Sequence, residues 1–423
     1  RPALHRDARR TDRALERRFT RVFLDEPTKY QTLEILKRLK NDMESSSGVR
    51  VSNESLLASV ELTGYYMKSR SYPDKAIDVI SSAIKSVYRR NKAYYTPEDI
   101  PTVTEEDVKR IVASETNIPL GNISELEFNL LNSMDERIKY SIVGQDEAVK
   151  SVCDAVRRGR SGIRYFSRPR ASFLFTGTSG VGKTALAETL GGEIGSLVKI
   201  DMSQYSSRNS LSELIGSKIN GYKGELTEKV WKKPYSVVLF DGIEKADVNV
   251  LNIILGIIEN GYIVDSSGNK VDFTNTIIIM TTNIGEKLIL NADKSEDQCL
   301  VKNKVLNEIN GVFGNELVNR VDDTIVFNKL SETNMKQIAE IFVNSLQTQL
   351  NTENISLQVP KDVMEYIFNG ETNHKIGARR LRKIVCEKLE KPIAKLVIEK
   401  KIEKGSSVIC SIGKDGIEFE VQK

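Results

Sequence analysis

Gly177-Thr178-Ser179-Gly180-Val181-Gly182-Lys183-Thr184 is a full match to G-x-x-x-x-G-K-[ST]. The apolar run Ser172–Thr176 before it reads as a strand, and the run from Ala185 reads as a helix. A strand, a glycine-rich loop and a helix in that order form a phosphate-binding loop. The glycines let backbone N–H groups face phosphate oxygens at a helix N-terminus, Lys183 brings a charge to the outer phosphates, and the Thr184 hydroxyl is a ligand for Mg2+. The loop needs an acidic partner for that metal, and the apolar strand Ser236–Phe240 ends in Asp241. Many such sites carry, one residue later, a glutamate that polarises the attacking water. Here that residue is Gly242. Glu244 reads either as a carboxylate approaching the site or, with Lys245, as the solvated start of a helix. A third apolar strand, Thr276–Met280, runs into Thr281-Thr282-Asn283, which would put an amide side chain beside the phosphates, although a strand ending in Asn is by itself a common turn signal. Arg320 and Arg379 are the candidate cations, although either alone also reads as a surface charge.

Outward from this centre, the runs Ser172–Thr176, Val198–Asp201, Val237–Phe240, Thr276–Met280 and Thr324–Phe327 alternate with helical stretches. That pattern predicts an α/β fold with a mostly parallel sheet between helices over residues 126–328. From residue 329 the periodicity becomes helical (Glu332–Leu350, Lys361–Phe368, Ala378–Glu399), then closes with strands at Ser407–Ile412 and Gly416–Val421. Residues 329–423 are therefore expected to form a small α+β domain. On the N-terminal side, Leu33, Leu36 and Leu39, then Leu56, Leu57 and Val60, recur at helical spacing and predict a small helical domain within residues 1–100. Tyr94, Tyr95, Pro97 and Pro101 break that periodicity over Ala93–Thr104, a connector that leads into another helix at Glu105–Ser114; residues 101–125 are expected to be a linker, with a domain boundary near residue 125.

Composition narrows the function. Lys+Arg 62 against Asp+Glu 58 is close to balance for 423 residues, so no global field favours nucleic acid. No apolar run approaches the roughly 18 residues of a membrane span. Cys153, Cys299, Cys386 and Cys410 are too far apart for zinc pairs or a disulfide framework and point to a reducing compartment. Residues 1–21 carry eight arginines but also Asp7, Asp12 and Glu16, unlike a transit peptide, and the chain opens on Arg1, as if cut from something longer. His5 and His374 have no metal-ligand neighbour, and Trp231 is expected to pack under the sheet.

Together these segments resemble the second ATPase module of the Clp family of AAA+ protein unfoldases and disaggregases, the ClpA, ClpB and ClpC type. The likeness runs through Val143-Gly144-Gln145-Asp146-Glu147-Ala148, the phosphate loop, Ile200-Asp201-Met202-Ser203, Pro234–Asp241, Ile243-Glu244-Lys245-Ala246, Val271–Thr276, Asn319-Arg320 and Gly377-Ala378-Arg379. Ala14-Leu15-Glu16-Arg17-Arg18-Phe19 and Pro73-Asp74-Lys75-Ala76-Ile77-Asp78 resemble the end of the first ATPase module and its helical domain. The resemblance implies ATP and Mg2+ as ligands, held by Gly177, Thr178, Ser179, Gly180, Val181, Gly182, Lys183, Thr184 and Val143, with Thr184 and Asp241 on the metal. It implies Asn283 as sensor 1, Arg379 as sensor 2 and Arg320 as a finger reaching a neighbour's ATP, with Arg17 and Arg18 the equivalent pair for the first module. A finger that acts in trans implies a ring, in this family a homo-hexamer threading unfolded or aggregated client proteins, with Gly221-Tyr222 as the gripping pair. A replication-type relative acting on nucleic acid shares the nucleotide motifs, but the charge balance and the two N-terminal segments speak against it.

Three departures qualify that expectation. Gly242 replaces the catalytic glutamate, leaving as the alternative a hydrolysis-deficient, nucleotide-holding ring subunit. The segment around Tyr222 is about four residues shorter than the family pattern. No long coiled-coil insertion precedes Thr104, and residues 285–312 lack the tripeptide that docks a ClpP-like protease, which speaks against a protease partner. The expected compartment is the cytoplasm, or alternatively an organelle matrix or stroma.

Overall fold

The computed structural model describes residues 25–67, 70–91, 100–116, 125–161, 167–207, 210–217, 222–266, 268–292, 298–369, 377–413 and 416–422. His5, Arg17, Arg18, Gly221 and His374 lie outside them. The chain divides into two compact units, Arg1–Gly121 and Asn122–Lys423.

The first unit holds α1 (Lys29–Ser47), β1 (Arg50–Val51), α2 (Asn53–Tyr66), α3 (Asp74–Asn91), β2 (Thr102–Val103) and α4 (Glu105–Thr116). α1 starts at a reciprocal Thr28/Gln31 capping box and stops at Gly48, whose φ is 67°. α3 buries Ala76, Val79, Ile80, Ala83 and Val87, an i, i+3, i+4, i+7 stripe that meets Leu36, Leu56 and Val60. Residues 102–116 are part of this unit rather than of a linker over 101–125. β2 pairs in parallel with β1, and α4 sends Val108 and Val112 into the same core. The prolines mark a loop inside the unit, and a two-residue strand is too short to register as a period. Asp107 fastens the start of α4, accepting from Thr104 N–H at 3.0 Å and from Arg90 Nη2 at 2.9 Å. Burial pushes its carboxyl up, but these hydrogen bonds and the Arg90 charge outweigh burial and hold it below the usual range.

The second unit begins with α5 (Glu125–Asn132), α6 (Met134–Ser141) and α7 (Asp146–Ser161). Its sheet is built from β3 (Ala171–Thr176), β4 (Leu197–Asp201), β7 (Val237–Asp241), β10 (Ile277–Thr282) and β11 (Asp323–Val326) in the order β11-β3-β10-β7-β4. Every pair is parallel. β3 and β10 are buried throughout, which is why they read as continuous apolar runs instead of alternating ones. Successive residues serve opposite faces: Leu174, Val238, Phe240, Ile278 and Met280 enter one core, Phe173, Phe175, Leu239 and Ile279 the other. The second core is covered by α7 through Val149, Val152 and Val156 and by α8 (Lys183–Ile194) through Leu186 and Leu190.

The first core is covered by α9 (Ser210–Ile215), α10 (Glu225–Lys232), α11 (Val248–Asn260), α12 (Glu286–Asn291) and α13 (Gln298–Arg320), the last broken at Gly314. Two short hairpins, β5 (Gly216–Ser217) with β6 (Tyr222–Lys223) and β8 (Tyr262–Val264) with β9 (Lys270–Asp272), complete this part. Trp231 departs from expectation: it stands on α10 with 38% of its surface exposed, while Leu226, Thr227 and Val230 face inward.

Beyond residue 328 come α14 (Glu332–Thr352), β12 (Ser356–Gln358), α15 (Lys361–Asn369), α16 (Ala378–Val385), α17 (Lys391–Ile398), β13 (Ser407–Gly413) and β14 (Gly416–Gln422). The expected C-terminal hairpin is β13–β14, and the unexpected β12 adds a third strand parallel to β13. A π turn, Cys386–Glu390, joins α16 to α17, with Lys391 N–H donating to Cys386 O. Pro392 has no N–H to continue the i→i−4 ladder, which accounts for the wider turn there.

Candidate nucleotide site

The carboxyl ends of β3, β7 and β10 converge on a cleft of about 500 Å3, roofed by Phe342 of α14 and by Ala378, Arg379 and Arg382 of α16. The ends of parallel strands are where an open α/β sheet places its ligand. Ser179, Gly180, Gly182, Lys183 and Thr184 line the cleft, while Gly177, Thr178 and Val181 shape the loop from behind. Gly182 caps α8 with a φ of 112°, which an L side chain rarely adopts, and a Cβ built there meets only Ile142 Cγ2 at 4.0 Å. The glycine thus keeps both the turn and open space at the helix N-terminus.

Lys183 is 7% exposed and donates to Gly177 O at 2.6 Å, Thr178 O at 2.8 Å and Asn283 Oδ1 at 2.9 Å. Sensor candidate and loop lysine are thus brought into direct contact. Burial pulls the ammonium down to about 8, against the opposing pull of Glu286, Glu244 and Asp241. The charge that attracts phosphate is therefore full only well below pH 8 and is lost as pH rises through about that value. ATP affinity is expected to fall by about tenfold per unit above that value, readable by calorimetric titration at pH 7, 8 and 9.

Thr184 Oγ1 donates to Asp241 Oδ1 at 3.1 Å, uniting the two expected metal ligands. A hydroxyl and a carboxylate are hard oxygen donors, and this donor set suits Mg2+ with its remaining positions taken by phosphate and water. Thr281, which sequence reasoning passed over as part of a turn signal, orients the acid: its Oγ1 donates to Asp241 Oδ1 at 2.6 Å and accepts from Gly242 N–H at 2.9 Å. Gln145 was also missed as a positioning residue. Its amide donates to Val181 O and Asn328 O and accepts from Asn328 N–H, tying the loop to the end of β11. Val143 does not line the cleft but packs against the cluster of Met335, Ile338, Ala339, Phe368 and Leu381.

Arg379 reaches the loop, with Nη1 3.5 Å from Ser179 Oγ, and Ala378 N–H donates to Gly180 O at 2.9 Å. Arg320 is not part of this cleft. It pairs with Glu316 at 2.5 Å and Glu259 at 2.9 Å. Tyr222 pairs through its backbone with Ser217. Gly242 has a φ of 79° and a ψ of 55°, and its missing side chain would meet the Lys245 chain at 3.6–3.7 Å. Glu244 does not line the cleft, and its Oε2 is buried with no hydrogen-bond partner among the described residues.

Comparison with known proteins agrees with this geometry. Residues 168–324 match the AAA domain (Cdc48 subfamily), residues 330–410 the C-terminal D2-small domain of ClpB protein, and residues 28–118 the AAA lid domain. The ATP-dependent Clp protease ATP-binding subunit ClpC of Staphylococcus saprophyticus is 34% identical over 97% of this chain and 58% of its own length. The chloroplastic chaperone protein ClpC1 of Arabidopsis thaliana is 34% identical over 96% of this chain and 52% of its own. The chain thus spans about half the length of the curated relatives it matches. A closed-state reconstruction of Hsp104 with ATPyS and FITC casein superposes with a TM-score of 0.79 at 30% identity, over 99% of this chain and 72% of that one. The extended Saccharomyces cerevisiae Hsp104:casein complex gives 0.80 at 28% identity, over 98% and 73%. Agreement along nearly the whole chain, in sequence and in backbone alike, makes it a member of the Clp family of AAA+ proteins.

Proposed function

We propose that this chain is an ATP-dependent protein-remodelling subunit that works in a hexameric ring and draws unfolded or aggregated polypeptide through its centre. The observation that carries the reading is the contact of Thr184 with Asp241 beside a Lys183 already joined to Asn283. Four polar groups of the family pattern therefore meet at one strand-end cleft. Mg2+ held by Thr184 and Asp241 would offset the charge of the phosphates. The chain's own groups do the rest: loop amides and Lys183 bind, Asn283 and Arg379 flank the outer phosphate, and Arg320, remote from its own cleft, serves a neighbour's. Tyr222 grips client. The ClpC relatives and the casein-bound Hsp104 structures support the client class, and the wide spacing of the cysteines along the chain fits a reducing cytoplasm or stroma. No protease partner or nucleic acid enters this reading. Among the described residues no helix is long and apolar enough to cross a membrane.

A second reading, favoured by the left-handed Gly242 with Lys245 beside it, is a subunit that holds ATP and turns it over slowly. Positioned acid–base groups are worth about 10^2–10^4-fold, so the lost glutamate weakens hydrolysis far more than binding. Sedimentation of the chain with and without ATP tests the ring, and recovery of a heat-denatured reporter enzyme tests remodelling. Assembly with recovery supports the first reading, assembly without recovery the second. Absence of both refutes the ring account.

A further inference from the structure

Ser179 lines the cleft and belongs to the glycine-rich loop, a motif whose backbone N–H groups cradle phosphate. In this structure the Ser179 N–H donates to Glu286 Oε1 at 3.1 Å. The carboxylate arrives there from 107 positions away, because the turn before α12 is pinned at two points. Ile284 O accepts from Thr176 Oγ1 at 2.6 Å, fastening the turn to the strand end that precedes the loop. Gly285, with a φ of 84°, packs so closely that a Cβ on it would stand 2.7 Å from Val305 Cγ1. Glu286 follows at once, so the backbone that carries its side chain is fixed beside the loop.

An amide N–H supports one strong acceptor at a time, and a carboxylate accepts more strongly than a neutral oxygen. A phosphate oxygen at Ser179 and the Glu286 carboxylate are therefore alternatives, and their like charges add to the exclusion. We propose that Glu286, outside the cleft lining but bonded to the lining residue Ser179, determines nucleotide affinity: it competes with nucleotide phosphate for the Ser179 N–H and must swing away for ATP to seat. Glu286 also supports the charge on Lys183. That influence acts through space from a half-exposed side chain, whereas competition acts by direct contact, so competition dominates. The inference rests on the reading of this cleft as a nucleotide site and adds what sets its affinity.

The test is titration of a fluorescent ATP analogue into the full chain and its Glu286→Gln and Glu286→Ser variants, with hydrogen exchange of the loop amides measured without added nucleotide. Removing a charged competitor is expected to lower Kd by about tenfold in both variants. The Ser179 amide, protected in the unsubstituted protein, is expected to exchange faster. Unchanged or weaker affinity overturns the proposal, as does unchanged exchange. If neither the unsubstituted chain nor the variants bind the analogue, the nucleotide reading itself has failed. The exchange measurement then still reports whether Glu286 holds the amide.

Discussion

Lys183→Ala is expected to weaken nucleotide binding by about 10^2-fold or more. The Lys183 ammonium lines the cleft beside the phosphate loop, and burial removes the water that would otherwise dilute its attraction. Each hydrogen bond to a charged partner is worth about 1.5–3 kcal/mol, and the ammonium offers several to the outer phosphates, so affinity drops by about 10^2-fold or more. The same change orphans Gly177 O, Thr178 O and Asn283 Oδ1, which the ammonium now satisfies. Loss of binding must therefore be separated from loss of structure. A thermal melt that keeps its single transition while fluorescent-ATP binding disappears assigns the effect to the missing charge. Binding within a few-fold of the original would place the phosphates elsewhere.

Gly242→Glu is expected to raise ATP turnover by about 10^2-fold, the lower end of what a positioned acid–base group contributes. Two features hold it there. The position has a φ of 79° and a ψ of 55°, and placing an L residue in that region costs about 1–2 kcal/mol. The new side chain also meets Lys245, whose ammonium stands 3.7 Å from where its Cβ would be, and an ion pair there competes with water activation. Relaxing the backbone has its own consequence, because the Gly242 N–H is bonded to Thr281 Oγ1, which in turn holds Asp241. The melting temperature is expected to fall by a few degrees while steady-state hydrolysis rises. Hydrolysis that does not rise would show that the missing carboxylate is not what limits the site.

The sheet was legible because its central strands are buried on both faces and must be apolar at every position, as in Ile277–Met280. The phosphate loop was legible because glycine, lysine and threonine stand at fixed offsets along one segment. What escaped was short or remote. β1, β2 and β12 span two or three residues each, below any period, and so the helical unit seemed to end before α4. Thr281, Gln145 and Glu286 act through contacts that join distant segments, and nothing in their local sequence announces the partner. Gly242 was visible as a missing glutamate, but its left-handed backbone, which decides what a restored side chain would cost, is a property of the folded turn.

The most direct test of the account is steady-state ATP hydrolysis by this chain beside direct binding of a fluorescent ATP analogue, with Lys183→Ala as the blank. The account predicts firm binding and measurable turnover, both lost in the blank; binding without turnover would leave only the nucleotide-holding reading. Turnover that persists in the blank, or a chain that does not bind the analogue at all, would contradict it.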